Sequence, residues 1–451
     1  MSNQPWDLVV IGAGSGGLAS AIRAAGHGAR VALLEPSAIG GTCVNAGCVP
    51  KKVMWEAAQL ASQLPRARAL GLAVPEAVAL DWRQLVAARQ AYIARIHASY
   101  QRTFDGLPGL QLMACRGRLL GQGRVATDDG QQLQAAQIIL APGARPNLPQ
   151  MPGGQLLQSS NDVFAWSQRP QRVAIIGGGY IAVELAGLLH ALGSQVHVLV
   201  RGRGLLDGFD HEVSAHLAAS MAAQGIGLHL GARLEGLGGQ AGAVQLLGPD
   251  LPDGPFDAVV AATGRRANTQ GLGLEQAGVA LDERGFILTD ADSLATSAKG
   301  VWAVGDASGQ LALTPLAVAQ GRRLADALFG PGAGPAIDTD LVPSVVFSHP
   351  PVGKVGLDEA SARERFEQVQ VYRSNFRSLQ EGVAGGHQRH LFKVVCEGPA
   401  QRVVGLHLIG EGCDEMLQGF AVALQCGAHW ADFQRTVPIH PTNAEEVVLA
   451  R

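Results

Sequence analysis

The stretch Asp7-Leu8-Val9-Val10-Ile11-Gly12-Ala13-Gly14-Ser15-Gly16-Gly17 decides how the rest of the chain reads. A short apolar strand runs straight into a glycine-rich turn, followed by a helix expected over 18–25 and a second strand over 30–34 that ends in Glu35. Glycines permit the tight turn and the close approach of a pyrophosphate to a helix N-terminus, while the acid after the second strand can accept from a ribose hydroxyl. A G-x-G-x-x-G run alone is weak evidence. With strand, helix, strand and acid in register it marks a dinucleotide-binding βαβ unit, with Gly12, Gly14, Ser15, Gly16, Gly17 and Glu35 around the cofactor.

The unit recurs at Arg172-Val173-Ala174-Ile175-Ile176, followed by Gly177-Gly178-Gly179-Tyr180-Ile181-Ala182 and a helix expected over 183–191. Its second strand, over 195–200, ends in Arg201-Gly202-Arg203 where the first unit has an acid. A missing carboxylate and nearby arginines favour a 2′-phosphate, so this site is expected to take NADP(H) over NAD(H). Single surface arginines are commonly just solvated, but less so at this turn. The chain therefore carries two dinucleotide sites of different chemistry.

Between them lies Gly40-Gly41-Thr42-Cys43-Val44-Asn45-Ala46-Gly47-Cys48-Val49-Pro50-Lys51-Lys52, ahead of a helix expected over 53–60. Helix N-termini and nearby lysines favour thiolate. A structural zinc site would want a second ligand pair elsewhere, with matching spacing. Isolated cysteines are usually ordinary buried residues. The glycines and lysines of this stretch favour a redox dithiol instead, and no metal site is expected.

The length of 451 residues suggests several domains, and 47% hydrophobic content with 16% charge describes a globular protein with a sizeable core. A net charge of −3 gives no reason to expect nucleic acid or an anionic membrane as partner. Neither a signal peptide nor an apolar run near the ~18 residues of a membrane span is visible. Six cysteines, four of them scattered (Cys115, Cys396, Cys413, Cys426), are too few for a secreted disulfide scaffold. A cytoplasmic enzyme is expected, with those four thiols buried and inert.

Two further apolar strands, over 138–143 and 259–265, end in small-residue turns at Gly143 and at Gly264-Arg265, where the path leaves each nucleotide domain. Val301-Trp302-Ala303-Val304-Gly305-Asp306 ends in an aspartate placed to hold a ribityl or ribose hydroxyl, or else a plain turn aspartate. From about Leu341 the character changes to apolar strands over 392–395 and 403–408 and a helix over 415–426, read as a third domain. The closing Ile439-His440-Pro441-Thr442-Asn443-Ala444-Glu445-Glu446 sets a histidine five residues before a carboxylate. Such a pair is a candidate acid/base of fixed tautomer, though taken alone it reads as an N-cap or a surface pair.

With these pieces in order, the chain resembles the flavoprotein disulfide reductases of the class I pyridine nucleotide-disulfide oxidoreductase family, and within them the glutathione reductases. The resemblance runs from about Trp6 to the C-terminus. It is carried by the Cys43–Lys52 and His440–Glu446 motifs, by Phe347-Ser348-His349-Pro350-Pro351, and by Gly412-Cys413-Asp414-Glu415-Met416-Leu417-Gln418-Gly419.

It implies an α/β architecture of two Rossmann-like domains, for FAD and NADPH, plus an α+β C-terminal dimerisation domain. The expected division is FAD domain 1–143 and 266–339, NADPH domain 144–265 and interface domain 340–451. Gly12, Gly14, Gly17, Glu35, Thr42, Gly143, Asp306 and Thr314 then fall at FAD positions. Gly177, Gly179, Ile181, Ala182, Arg201, Arg203, Gly264 and Arg265 fall at NADPH positions, with Tyr180 covering the nicotinamide pocket. Lys51 and Glu184 match a pair beside the flavin that helps hydride reach it. Ser15, Tyr100, Arg322 and the other subunit's Glu446 match glutathione contacts.

The implied reaction is NADPH-dependent reduction of glutathione disulfide through FAD and a Cys43–Cys48 disulfide in a homodimer. The partner's His440, oriented by Glu445, serves as acid. Three positions depart from the family pattern: Asp207 stands where a second arginine is common, Ile22 where some members have an arginine, and Ala267 where proline is usual. The alternatives are a relative acting on a modified glutathione or another low-mass disulfide, or a lipoamide dehydrogenase-like enzyme. The arginines at 201 and 203 argue against the last.

Overall fold

Strand Trp6–Ile11 is the centre of the first sheet because Leu8, Val9 and Val10 are apolar on both faces and fully buried. The computed structural model describes residues 5–76 and 78–451, and the chain divides into two compact units. The first gathers Met1–Lys51, Val86–Asn147 and Arg265–Ile337; the second gathers Lys52–Leu85, Leu148–Gly264 and Asp338–Arg451.

In the first unit, Trp6–Ile11 pairs in parallel with Val31–Leu34 on one side and Gln132–Leu140 on the other. Leu110–Met113 and Val301–Ala303 add parallel strands outside these. The early residues of Gln132–Leu140 pair instead with an antiparallel meander, Arg124–Thr127 and Gly117–Gly121. Parallel sheets covered on both faces read as continuous apolar runs, which is why the strands were visible in the sequence. Leu8, Val10, Leu33 and Ile139 pack under helices Ser15–Gly26 and Thr314–Phe329. Val9, Ile11, Leu34 and Leu140 pack with Leu119, Val125 and Leu274 on the other face.

The second unit repeats the theme. Strands run in the order Gly227–Leu230, Gln195–Val200, Arg172–Ile176, Ala258–Ala261 and Leu157–Ser159, all parallel. Its other sheet is antiparallel, in the order Ser344–Val346, Val352–Gly356, Arg402–Ile409, His390–Glu397 and Val369–Phe376. Helix Cys413–Gln425 covers it, with Phe392, Leu406 and Leu408 against Leu417, Leu424 and Trp430. The molecule is thus α/β with two Rossmann-like sheets and an α+β C-terminal part. Among the described residues no helix is long and apolar enough to cross a membrane.

The helix after Gly47 is far longer than the expected 53–60, running over Cys48–Ala69. The hairpin of Gly236–Gln240 and Ala243–Leu247 was not read from the sequence, because glycines and glutamines leave it no clear alternation.

Candidate active site

Each glycine-rich loop enters its helix without a side-chain cap. Gly14 is the N-cap of Ser15–Gly26 and Gly179 that of Tyr180–Ala191, and neither helix has a side-chain hydrogen bond at its start. Elsewhere the chain does cap its helices: Asp210 accepts from Glu212 N and Val213 N. Uncapped N–H groups at two glycine turns are ready sites for phosphate oxygens. Gly12 (φ +103°) and Gly177 (φ +135°) explain the residue type, since a Cβ would meet the Ala141 carbonyl oxygen at 2.2 Å and that of Ala262 at 2.3 Å. Around Gly179 a Cβ would meet nothing within 4 Å, so the cradle is open there.

Glu35 closes the first turn, its carboxylate accepting from Ala13 N at 2.9 Å and Ser37 N at 3.0 Å. Gly41 faces Gly14 so closely that a Cβ on Gly41 would meet the Gly14 Cα at 2.7 Å. Around this cradle stand Asp306, whose carboxyl burial pushes up against the lowering charge of Arg265, and Thr42. Arg265 lies 3.6 Å from Asp306 through Nε and 3.4 Å from Thr42 Oγ1 through Nη2, and also donates to the Ala144 carbonyl. The resemblance assigned Arg265 to the second nucleotide; the structure sets it among the residues assigned to the first, because β-strand Arg265–Ala267 pairs with Ala144–Pro146. Its buried Nε, ion-paired with Asp306 at 3.6 Å, makes no hydrogen bond within the protein, a donor with spare capacity beside the cradle. Gly143 contributes a backbone carbonyl that accepts from Asn268 N at 2.9 Å.

At the second cradle Arg201 and Arg203 are exposed beyond strand Gln195–Val200, as is Asp207. Tyr180 is the exposed first residue of its helix, Ile181 is half-buried and Ala182 fully buried. Gly264 ends the strand stretch at φ +97°. The donor set of both cradles fits dinucleotides, and the arginines of the second fit a phosphorylated ribose.

The side chains of Cys43 and Cys48 are hydrogen-bonded to each other in the dithiol form. Cys48 opens the long helix Cys48–Ala69, whereas Cys43 is the third residue of the short helix Gly41–Ala46. The helix N-terminus and the lysines favour a lowered Cys43 thiol; instead the hydrogen bond that Cys43 donates to Cys48, then burial, push it well above the ordinary range. The hydroxyls of Thr314 and Ser15 oppose this by hydrogen-bonding the sulfur. Thr314 Oγ1 also lies 3.5 Å from Cys48 Sγ, so one hydroxyl serves both sulfurs.

Ser15, assigned by resemblance to flavin and glutathione, thus turns its hydroxyl to Cys43 in this structure. Tyr100 is held half-buried, stacked on Phe104, and its phenol is pushed up by burial and by the charge of Cys43. Asn45 is a residue the motif contained but sequence reasoning did not use. Its amide donates to the carbonyls of Ile39 (3.0 Å) and Gly41 (2.9 Å), and its oxygen lies 3.0 Å from His97 Nε2. It shapes the loop that presents Cys43.

Lys52, expected to add charge beside the thiols, is matched elsewhere. Its ammonium lies 3.7 Å from the Trp55 ring centroid, 4.4 Å from that of Phe347 and 3.0 Å from Glu56. Lys51 and Glu184 are both buried, and Glu184 Oε1 accepts from Phe347 N at 2.9 Å.

His440 and Glu445 do come together: Nδ1 lies 3.0 Å from Oε2 and 3.2 Å from Oε1. The imidazole is 78% exposed and the carboxylate 12%. With Nδ1 committed to the carboxylate, Nε2 is the ring nitrogen left free to exchange a proton with a partner. Glu446 accepts from Ser374 Oγ at 2.6 Å, and Arg322 is exposed on helix Thr314–Phe329. Of the four scattered cysteines, Cys115, Cys396 and Cys413 are buried but Cys426 is exposed, contrary to expectation. It follows helix Cys413–Gln425 at the surface.

Residues 6–321 match the family described as pyridine nucleotide-disulphide oxidoreductase, and residues 342–451 match its dimerisation domain. The chain belongs to the pyridine nucleotide-disulphide oxidoreductases. A glutathione reductase of Burkholderia cepacia is 44% identical over 453 residues, covering 100% of this chain and 99% of that protein. A glutathione reductase of Schizosaccharomyces pombe is 40% identical over 458 residues, covering 98% of each. Among solved structures, an HOCl-induced flavoprotein disulfide reductase, RclA, from Escherichia coli superposes with a TM-score of 0.87 at 26% identity over 99% of both chains. As in that family's name, pyridine nucleotide and disulphide correspond to features seen here: an arginine-flanked glycine cradle and a hydrogen-bonded thiol pair.

Proposed function

We propose that this oxidoreductase reduces glutathione disulfide to two glutathiones at the expense of NADPH, with FAD as internal carrier, as a cytoplasmic homodimer. The observation that carries the reading is the hydrogen-bonded Cys43–Cys48 pair in a chain whose full-length relatives are named glutathione reductases. Bound FAD and NADPH supply the two-electron hydride chemistry that reduces the Cys43–Cys48 disulfide.

Gly12, Gly14, Gly16, Gly17, Glu35, Thr42, Gly143, Asp306 and Thr314 hold the flavin nucleotide, and Arg265 joins them. Gly177, Gly179, Tyr180, Ile181, Ala182, Arg201, Arg203 and Gly264 hold NADPH. Lys51 supplies buried charge beside the flavin.

Cys43, as thiolate, attacks one sulfur of glutathione disulfide; a Cys43–glutathione bond forms and the other glutathione leaves as thiolate. Nε2 of the partner subunit's His440, oriented by Glu445, gives that thiolate its proton. Cys48 then attacks Cys43 Sγ, re-forming the internal disulfide and releasing the second glutathione. Because the two thiols share a hydrogen bond, the first deprotonation belongs to the pair and leaves one thiolate stabilised by the other thiol. Ser15, Tyr100, Arg322 and the partner subunit's Glu446 hold the substrate.

Ile22 is half-buried against the apolar cluster of the first unit and offers no cation. This favours, as a second reading, a modified or otherwise neutral low-mass disulfide. Steady-state oxidation of NADPH and NADH with glutathione disulfide tests both. Turnover with NADPH alone is expected; NADH preference would mean that Asp207 outweighs the arginines. Flavin reduction without reoxidation by glutathione disulfide would favour the second reading.

A further inference from the structure

The loop carrying His440 is held in place from outside itself. Residues 436–444 form neither helix nor strand, and Val437 and Ile439 are 86% and 74% exposed, so burial does little to fix the loop. Its internal bonds, Thr442 Oγ1 to the Ile439 carbonyl at 2.7 Å and Thr442 N to Glu445 Oε1 at 3.3 Å, set its shape but not its place. A tether to the body of the second unit is the Asn443 amide, which donates to the Glu411 carbonyl at 3.1 Å.

Glu411 stands between Gly410 (φ +153°) and Gly412 (φ +83°), glycine conformations that leave the local backbone permissive. Its side chain supplies what the backbone does not. The Glu411 carboxylate accepts from Arg66, which also pairs with Glu381. Arg66, Glu411 and Glu381 are only 17%, 19% and 7% exposed, so these are largely desolvated pairs that are costly to break.

We propose that Arg66, through Glu411 and Asn443, is a positioning residue for the His440 imidazole. The inference rests on the acid role given to His440 above. An acid must sit within hydrogen-bond reach of the leaving sulfur, and displacements of about 1 Å can cost up to about 100-fold in rate. A rigid anchor on the Cys48–Ala69 helix thereby fixes an otherwise exposed catalytic loop.

The test uses the FAD-loaded protein and the variants Asn443→Ala, Arg66→Met and Arg66→Lys. Flavin reduction by NADPH is followed separately from turnover with glutathione disulfide, and amide hydrogen exchange is measured over 436–446. Asn443→Ala and Arg66→Met are expected to lower disulfide turnover ~10-fold and to raise exchange in the loop, with flavin reduction unchanged. Arg66→Lys, which keeps a cation for Glu411, is expected to restore part of the rate. Should Arg66→Met fail to fold, Asn443→Ala and Glu411→Gln read the same tether. Wild-type turnover in Asn443→Ala, or flavin reduction falling in parallel with it, overturns the proposal. Absence of turnover in the unsubstituted protein overturns the functional reading as well, and is told apart because it precedes any substitution.

Discussion

Cys43 is where local physics and sequence pattern disagree most usefully. The motif predicts a thiol tuned toward thiolate, yet the folded chain pushes it up, because the Cys43 thiol donates its proton to Cys48 and the site is partly buried. The sulfur's neighbours come from Ser15 and Thr314, distant in sequence, so no reading of the motif alone could weigh them. His440 and Glu445 show the opposite case. Their spacing of five and the intervening proline allowed the carboxylate to fold back on the imidazole, and it does so at 3.0 Å, although the spacing alone read equally as an N-cap or a surface pair. Cys43→Ser is expected to abolish turnover with glutathione disulfide while leaving NADPH-dependent reduction of ferricyanide, measured in the same cuvette. His440→Ala is expected to lose about 100-fold or more in disulfide turnover, in line with general-acid contributions of roughly 10²–10⁴. Equal loss of the ferricyanide activity in either variant would point to structural damage instead.

At the scale of elements, both βαβ units were legible because a strand buried on both faces, a glycine turn and a terminal acid or arginine are all local features. Replacing Arg201 and Arg203 together by alanine is expected to raise the KM for NADPH ~10-fold or more, consistent with the loss of charge-assisted phosphate bonds, while leaving that for NADH little changed. Steady-state kinetics with each nucleotide checks it. The ion cluster joining the second unit's elements was not legible, since its members are far apart in the chain. Lys393, 3% exposed on strand His390–Glu397, lies 2.8 Å from Asp210, 2.9 Å from Glu359 and 3.2 Å from Glu212. Arg373 closes the cluster on Glu212 and Glu359 at 2.8 and 2.6 Å. Burial raises the Glu359 carboxyl, but hydrogen bonds from Lys393 and Arg363 and the charges of Lys393 and Arg373 outweigh it and bring it down to about 2. Lys393→Ala leaves the buried Asp210 carboxylate without its cation and is expected to cost roughly 3 kcal/mol, readable by denaturant unfolding.

Across the whole molecule, His349 and His390 are among several second-unit histidines whose charged form burial disfavours. Burial lowers both His349 and His390 to about 4, and the cation of Arg66 and nearby His216 oppose the pull of Glu381 on His390. The unfolded chain binds protons at these sites near the ordinary 6.5 and the folded chain does not, so stability is present above that value and is lost as pH falls toward 4. Each site contributes on the order of 3 kcal/mol at neutral pH. The midpoint of thermal unfolding is expected to fall between pH 7 and 5, and less steeply in His390→Phe, whose ring suits the neighbouring Phe376 and Phe392.

The central claim is that electrons pass through Cys43 and Cys48. Its most direct test is alkylation of the FAD-loaded protein, with the peptide spanning 41–51 read by mass spectrometry, before NADPH, after NADPH and after subsequent glutathione disulfide. The account expects both cysteines protected at first, both alkylated after NADPH, and both protected again once glutathione disulfide is added. NADPH consumption with glutathione disulfide while that peptide's labelling stays unchanged would contradict it.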